Sequence, residues 1–231
     1  MRPIPLILLP GMGARAEIYA AQLAEFPELI VPDWLPPLAR EPLPEYACRM
    51  ARAVDPGTPC LIGGTSFGGF VAVEMRRHLD CRGCILISSV RSPRDLPRRV
   101  RMLHAVSPLF APWACRLAVA AAPLASRILK PVLKPAATKF LRQVASADAA
   151  FLRWAIWATL HWRDENPGRD RAGDRLPPIR LIHGTRDHIL PAHRVHADEV
   201  VSGAGHLLVM THAERANVFI RRAAADFARD Y

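Results

Sequence analysis

The sequence holds no stretch approaching the roughly 18 consecutive apolar residues of a membrane-spanning helix. Its opening apolar run, Leu6 to Leu9 with Ile4 before it, is interrupted by Pro3, Pro5 and Pro10 and is too short for a secretory signal. A soluble, cytoplasmic chain with a buried first strand is therefore expected. Cysteine is sparse: Cys48, Cys60, Cys81, Cys84 and Cys115 are odd in number and scattered, which argues against a disulfide framework. Cys81-Arg82-Gly83-Cys84 has C-x-x-C spacing, but it has no second pair to complete a zinc site and a strand is expected to follow it. Internal repeats and low-complexity tracts are missing as well, so the 231 residues, 51% of them apolar, suit one globular domain with a sizeable core.

Acidic residues are nearly missing from one segment. Residues 91–142 hold eleven Arg or Lys (Arg91, Arg94, Arg98, Arg99, Arg101, Arg116, Arg127, Lys130, Lys134, Lys139 and Arg142) and a single acid, Asp95. The whole formal charge of +10 resides there, and the rest of the chain is neutral. Such a segment either steers an anionic partner or forms a solvated face. It carries no recognisable nucleic-acid-reading motif, so nucleic acid is not expected as a partner.

What is present begins with alternation. Apolar runs of strand length at residues 5–9, 29–31, 60–63, 83–88, 178–184 and 199–201 are separated by helical patterns at residues 15–26, 43–54, 67–79 and 212–228. Strands alternating with helices imply a mainly parallel sheet of about six strands, covered by helices on both faces. The alternation stops at Ser89. From residue 91 to 174 no strand is evident, and proline-punctuated helical stretches read as an inserted helical lid between core segments 1–90 and 175–231. Its clearest helix, residues 147–162, carries Trp154 and Trp157, which either line a substrate pocket or pack onto the sheet.

Gly64-Thr65-Ser66-Phe67-Gly68 falls at a strand-to-helix turn. A G-x-S-x-G pattern there exposes a serine hydroxyl on a strained turn, although a serine in that place can also merely cap a helix. Pro10-Gly11-Met12-Gly13 is a second turn directly after a strand, suited either to oxyanion donors or to a simple connection. Asp187 follows the strand ending at Gly184, and His206 follows the last strand. In a parallel sheet the carboxyl ends of the strands lie along one edge, which gathers Ser66, Asp187 and His206. Serine needs a histidine to take its proton, and the histidine needs a carboxylate to fix its tautomer. Asp187 could instead cap its own turn. His183 reads as packed within a strand, and His188, His193 and His196 match no zinc spacing.

Leu8-Leu9-Pro10-Gly11-Met12-Gly13, Gly64-Thr65-Ser66-Phe67-Gly68-Gly69, His183-Gly184-Thr185-Arg186-Asp187 and Gly203-Ala204-Gly205-His206, in this order, resemble the successive signatures of the α/β-hydrolase family. The resemblance covers residues 4–90 and 176–229. It implies a shortened α/β-hydrolase fold, since the chain starts at what would be the family's third strand. It also implies Ser66 as nucleophile, His206 as general base and acid, Asp187 as its partner, and the N–H groups of Met12 and Phe67 as oxyanion hole. Two departures stand out: Thr65 occupies the place where many relatives carry histidine, and the first turn has Pro10-Gly11 rather than His-Gly. The expected activity is hydrolysis of a carboxylic ester or thioester without metal or cofactor. Acyl transfer on the same triad and a non-catalytic lipid-binding role at a membrane surface are the alternatives. The basic segment with its apolar interleaving points to an acyl chain on an anionic carrier, such as coenzyme A, a carrier protein or an acidic lipid, with peripheral membrane contact through residues 91–142.

Overall fold

A computed structural model describes residues 4–97, 138, 140, 143, 147–163 and 175–229. Most of the proposed lid, including every basic residue of the charged segment beyond Arg91 and Arg94, lies outside these residues. Six strands form one sheet, β1 (Leu6–Leu9), β2 (Leu29–Ile30), β3 (Cys60–Thr65), β4 (Cys81–Ile87), β5 (Ile179–Gly184) and β6 (Glu199–Val201), in the order β2-β1-β3-β4-β5-β6. Every neighbouring pair is parallel. The expected alternation and strand count are therefore found.

The sheet separates two apolar layers, and the period of two in a strand explains how. Ile7, Leu9, Ile62, Leu86 and Leu181 face one layer, while Leu6, Leu8, Leu61, Ile85 and Ile182 face the other. Helices α2 (Leu43–Val54), α3 (Phe67–Met75) and α4 (Ala149–His161) cover the first face. α2 buries Leu43, Tyr46, Ala47, Met50 and Ala51, one stripe at helical spacing. α3 is buried along its whole length, which places the residues that follow β3 at the centre of the molecule. The opposite face is covered by α5 (Leu208–Thr211), a single short turn, and by α6 (Ala213–Arg229), whose inner face carries Phe219, Ile220, Ala223 and Phe227, while α1 (Ala20–Glu25) is tied to α6 through Gln22, which donates to Asn217 Oδ1 at 2.7 Å. Each such large apolar side chain contributes about 1.5–3 kcal/mol on burial.

Several boundaries differ from the sequence reading. The helix expected over residues 15–26 is a 3-10 turn, Ala16–Tyr19, followed by the short α1. α3 stops at Met75 rather than at residue 79, and residues 76–78 continue as tighter turns, Arg77 N–H bonding to the Glu74 carbonyl and His78 N–H to that of Met75. β4 starts at Cys81, so the C-x-x-C pair lies within the strand instead of before it. Both thiols are buried, and burial pushes the Cys84 thiol up to about 12 and the Cys81 thiol further, which leaves them protonated and unreactive. Among the described residues no group of His, Cys, Asp or Glu is arranged to hold a metal ion, and no helix is long and apolar enough to cross a membrane.

Candidate active site

The sheet's carboxyl edge gathers the residues that the sequence had singled out. β3 ends at Thr65 and α3 begins at Phe67, so Ser66 alone makes the turn, with φ 55° and ψ −121°. A positive φ in a non-glycine residue costs about 1–3 kcal/mol and persists only where the surroundings enforce it. Here they do. The Ser66 N–H donates to the Ile87 carbonyl at 3.1 Å, and its carbonyl accepts from Gly69 N–H at 3.0 Å and from the Ser89 hydroxyl at 2.8 Å. The flanking glycines permit the approach: a Cβ on Gly64 would lie 2.5 Å from the backbone of Gly68, and one on Gly68 would lie 2.3 Å from the Leu9 and Pro10 carbonyls.

The loops after β5 and β6 bring the other two groups. His206 Nε2 lies 2.8 Å from Ser66 Oγ, and His206 Nδ1 lies 2.7 Å from Asp187 Oδ2. Asp187 is buried, whereas the His206 side chain keeps 11% exposure and Ser66 is half-buried, so the outer end of the chain of hydrogen bonds faces outward. Asp187 Oδ1 accepts the N–H groups of Ile189 and Leu190, each at 2.9 Å. It thus both caps its turn and reaches His206. Burial works against its charge, but hydrogen bonds from His183 and His206 and from the Leu190 N–H outweigh it and hold the carboxyl well below the usual carboxylate range. An ionised carboxylate can only accept, so His206 Nδ1 carries the ring hydrogen and the Nε2 lone pair faces the Ser66 hydroxyl.

His183 does more than fill the strand. It is buried, with Nε2 2.6 Å from the Leu190 carbonyl and 3.3 Å from Asp187 Oδ2. Both neighbours are acceptors, which assigns the hydrogen to Nε2 and makes Asp187 the meeting point of two imidazoles. Its place four residues before Asp187 was the only signal in the sequence. Tyr19 was missed altogether: its hydroxyl reaches both the Leu9 carbonyl and Thr65 Oγ1 at 2.8 Å.

The turn after β1 lies against the serine, since a Cβ on Gly11 would be 3.9 Å from Ser66 Cβ. Met12 belongs to that turn, and Phe67 is the first residue of α3, where an N–H has no carbonyl within the helix to bond. The Phe67 ring is buried among Trp34, Phe70, Phe151 and Trp154, with centroids 5.5–6.2 Å away. Trp154 donates its indole N–H to the Glu41 carbonyl at 2.8 Å and packs 4.1 Å from Tyr46 and 5.9 Å from Phe67, so α4 is joined to the Ser66 turn through aromatic packing. Trp157 is half-buried and stacks on His161 at 4.4 Å.

The profile of the alpha/beta hydrolase family matches residues 6–218, and the chain belongs to that family. No curated protein matches the sequence. Among solved structures it is similar to a thermophilic esterase from Thermogutta terrifontis, with 20% identity and a TM-score of 0.64 over 97% of this chain and 90% of that one. A carboxylesterase of the thaumarchaeon Nitrososphaera gargenis shares 14% identity with a TM-score of 0.69 over 100% and 93% of the two chains. Epoxide hydrolases from metagenomes of hot environments share 18% identity and a TM-score of 0.65 over 95% and 90%. At such identities the likeness is one of fold, the mainly parallel six-stranded α/β-hydrolase architecture.

Proposed function

We propose that the protein is a serine hydrolase that cleaves a carboxylic ester or thioester through an acyl-enzyme. The observation that carries this reading is the unbroken chain from Ser66 Oγ through His206 to Asp187, set on a turn whose backbone is held in a costly conformation. Ser66 Oγ attacks the carbonyl carbon as its proton passes to His206 Nε2, and Asp187 stabilises the imidazolium. The N–H groups of Met12 and Phe67 hold the oxyanion of the tetrahedral intermediate. Collapse expels the alcohol or thiol with the proton from His206. Water, deprotonated by the same nitrogen, then attacks the acyl-enzyme and releases the acid and free Ser66.

The esterase and carboxylesterase names of two fold neighbours favour an ester substrate. The basic segment, residues 91–142, favours an anionic carrier such as coenzyme A, a carrier protein or an acidic lipid. One experiment addresses both: turnover of p-nitrophenyl acetate and of an acyl-coenzyme A by wild type and Ser66→Ala, at low and high ionic strength. Ser66→Ala is expected to lose about 10⁴–10⁶-fold in kcat on both substrates, as when a triad nucleophile is deleted. The wild-type kcat/KM for acyl-coenzyme A should fall with salt while that for the neutral ester does not. Retained turnover by Ser66→Ala would overturn the nucleophile, and a salt-insensitive thioester rate would overturn the anionic carrier.

A further inference from the structure

The two N–H groups assigned to the oxyanion come from different strand ends, Met12 after β1 and Phe67 after β3. Their separation must be fixed for both to aim at one oxygen. The ladder between β1 and β3 runs from Leu6 opposite Leu61 to Leu9 opposite Gly64 and goes no further. The next residue on one side is Pro10, which has no N–H to extend it. Beyond the last rung the two turns are therefore not held together by backbone pairing.

Tyr19 lies at this point. Its ring is wholly buried, and its hydroxyl oxygen is 2.8 Å from the Leu9 carbonyl and 2.8 Å from Thr65 Oγ1. A phenol has one hydrogen and a carbonyl can only accept. Both contacts are satisfied in one arrangement alone: Tyr19 donates to Leu9, and the Thr65 hydroxyl donates to Tyr19. Leu9 is three residues before Met12, and Thr65 immediately precedes Ser66. Burial also pushes the Tyr19 phenol far above its ordinary ionisation range, so the donor persists across the working pH range.

We propose that Tyr19 and Thr65 form a cross-strand brace that sets the spacing of the Met12 and Phe67 N–H groups, acting as positioning residues for the oxyanion; the inference rests on the acyl-enzyme reading above. The brace adds two side-chain hydrogen bonds at the last rung, between Leu9 and the residue that follows Gly64. It also gives Thr65 a role that depends on its hydroxyl rather than on its bulk.

The test uses Tyr19→Phe, Thr65→Val, Thr65→Ser and the double variant Tyr19→Phe/Thr65→Val. Each is assayed for kcat and KM on p-nitrophenyl acetate and for affinity to a trifluoromethyl ketone, which binds the nucleophile as an oxyanion. Tyr19→Phe and Thr65→Val should each lose about tenfold in kcat and in ketone affinity, less than the roughly 10²–10³-fold of deleting a donor outright. KM should stay within about twofold, Thr65→Ser should behave as wild type, and the double variant should be no worse than the poorer single one, as expected of one shared network. Lowered thermal stability with unchanged kcat and ketone affinity would reduce the pair to a structural role and overturn the proposal, as would an equal loss in Thr65→Ser. If Tyr19→Phe does not fold, the two Thr65 variants decide the matter, because they leave the Tyr19–Leu9 bond in place. Ser66→Ala separates the levels: activity there refutes the acyl-enzyme, whereas a dead Ser66→Ala beside fully active brace variants refutes only the brace.

Discussion

Ser66 and His206 meet across 2.8 Å, but they arrive there by different means. The Ser66 turn is held by backbone: a positive φ, a main-chain N–H and carbonyl engaged in three hydrogen bonds, and glycines at van der Waals limits against β1 and α3. The arm bearing Asp187 and His206 is laced by hydrogen bonds between two loops. Arg186 N–H reaches the Ala204 carbonyl at 2.8 Å, Thr185 N–H reaches the Val201 carbonyl at 3.1 Å, and the Thr185 hydroxyl accepts Gly203 N–H at 2.9 Å. Ser66 is thus located by packing, which tolerates no added atom, and His206 by polar groups whose charge and tautomer matter more than their volume.

The largest effect should come from the polar arm. Asp187→Asn preserves shape but removes the charge that fixes the His206 tautomer, and kcat is expected to fall about 10⁴-fold. Its pH signature is separate. Because the folded carboxyl is held below its unfolded value of about 3.9, its stabilisation is present above that pH and is lost as pH falls through the folded value. Thermal denaturation of wild type and Asp187→Asn should therefore show a gap that is level from about pH 8 to 5 and narrows below about pH 4. A gap constant down to pH 3 would contradict the depressed carboxyl.

A smaller but still severe effect is expected on the packed side. Gly68→Ala places a methyl 2.3 Å from the Leu9 and Pro10 carbonyls, where only backbone can move. A loss of about 3 kcal/mol in denaturant unfolding is expected. Gly203→Ala, on the other arm, meets no atom within 4 Å and should cost only about 1–2 kcal/mol for its left-handed backbone at φ 75°. Equal losses at the two glycines would erase the contrast. The mildest change should be His183→Asn, which withdraws one N–H from Asp187 and Leu190. About a tenfold drop in kcat at unchanged KM is expected, in line with a buried hydrogen bond worth about 1–2 kcal/mol. A drop in stability alone would leave His183 a packing residue.

The strands were legible because residues such as Leu6 to Leu9 and Cys84 to Ile87 are buried on both faces of a parallel sheet, and such strands read as continuous apolar runs. The gathering of Ser66, Asp187 and His206 was legible because each follows a strand, and parallel strands end on one edge. Helix ends were less so: nothing local distinguishes Met75 from residue 79 as a terminus, and the 3-10 turn Ala16–Tyr19 interrupts an otherwise helical pattern. The contacts of Tyr19 with Thr65 and of His183 with Asp187 were hidden for a different reason. Each is a contact between single polar groups, Tyr19 and Thr65 far apart in the chain and His183 and Asp187 within one strand-to-loop turn, and no periodicity marks either. Trp154 illustrates the same limit, since its indole partner, the Glu41 carbonyl, is 113 residues away.

The chain is fastened to the core both where it leaves β4 and where it returns after α4. Arg91 donates to the Ile179 and His196 carbonyls and pairs with Asp198, and Leu96 is buried in the core. On the return, Trp162 donates to the buried Glu74 carboxylate at 2.7 Å and stacks on Phe70. Leu96 and Trp162 are thus fixed terminals, buried in the same apolar layer as Phe67, the residue that follows Ser66.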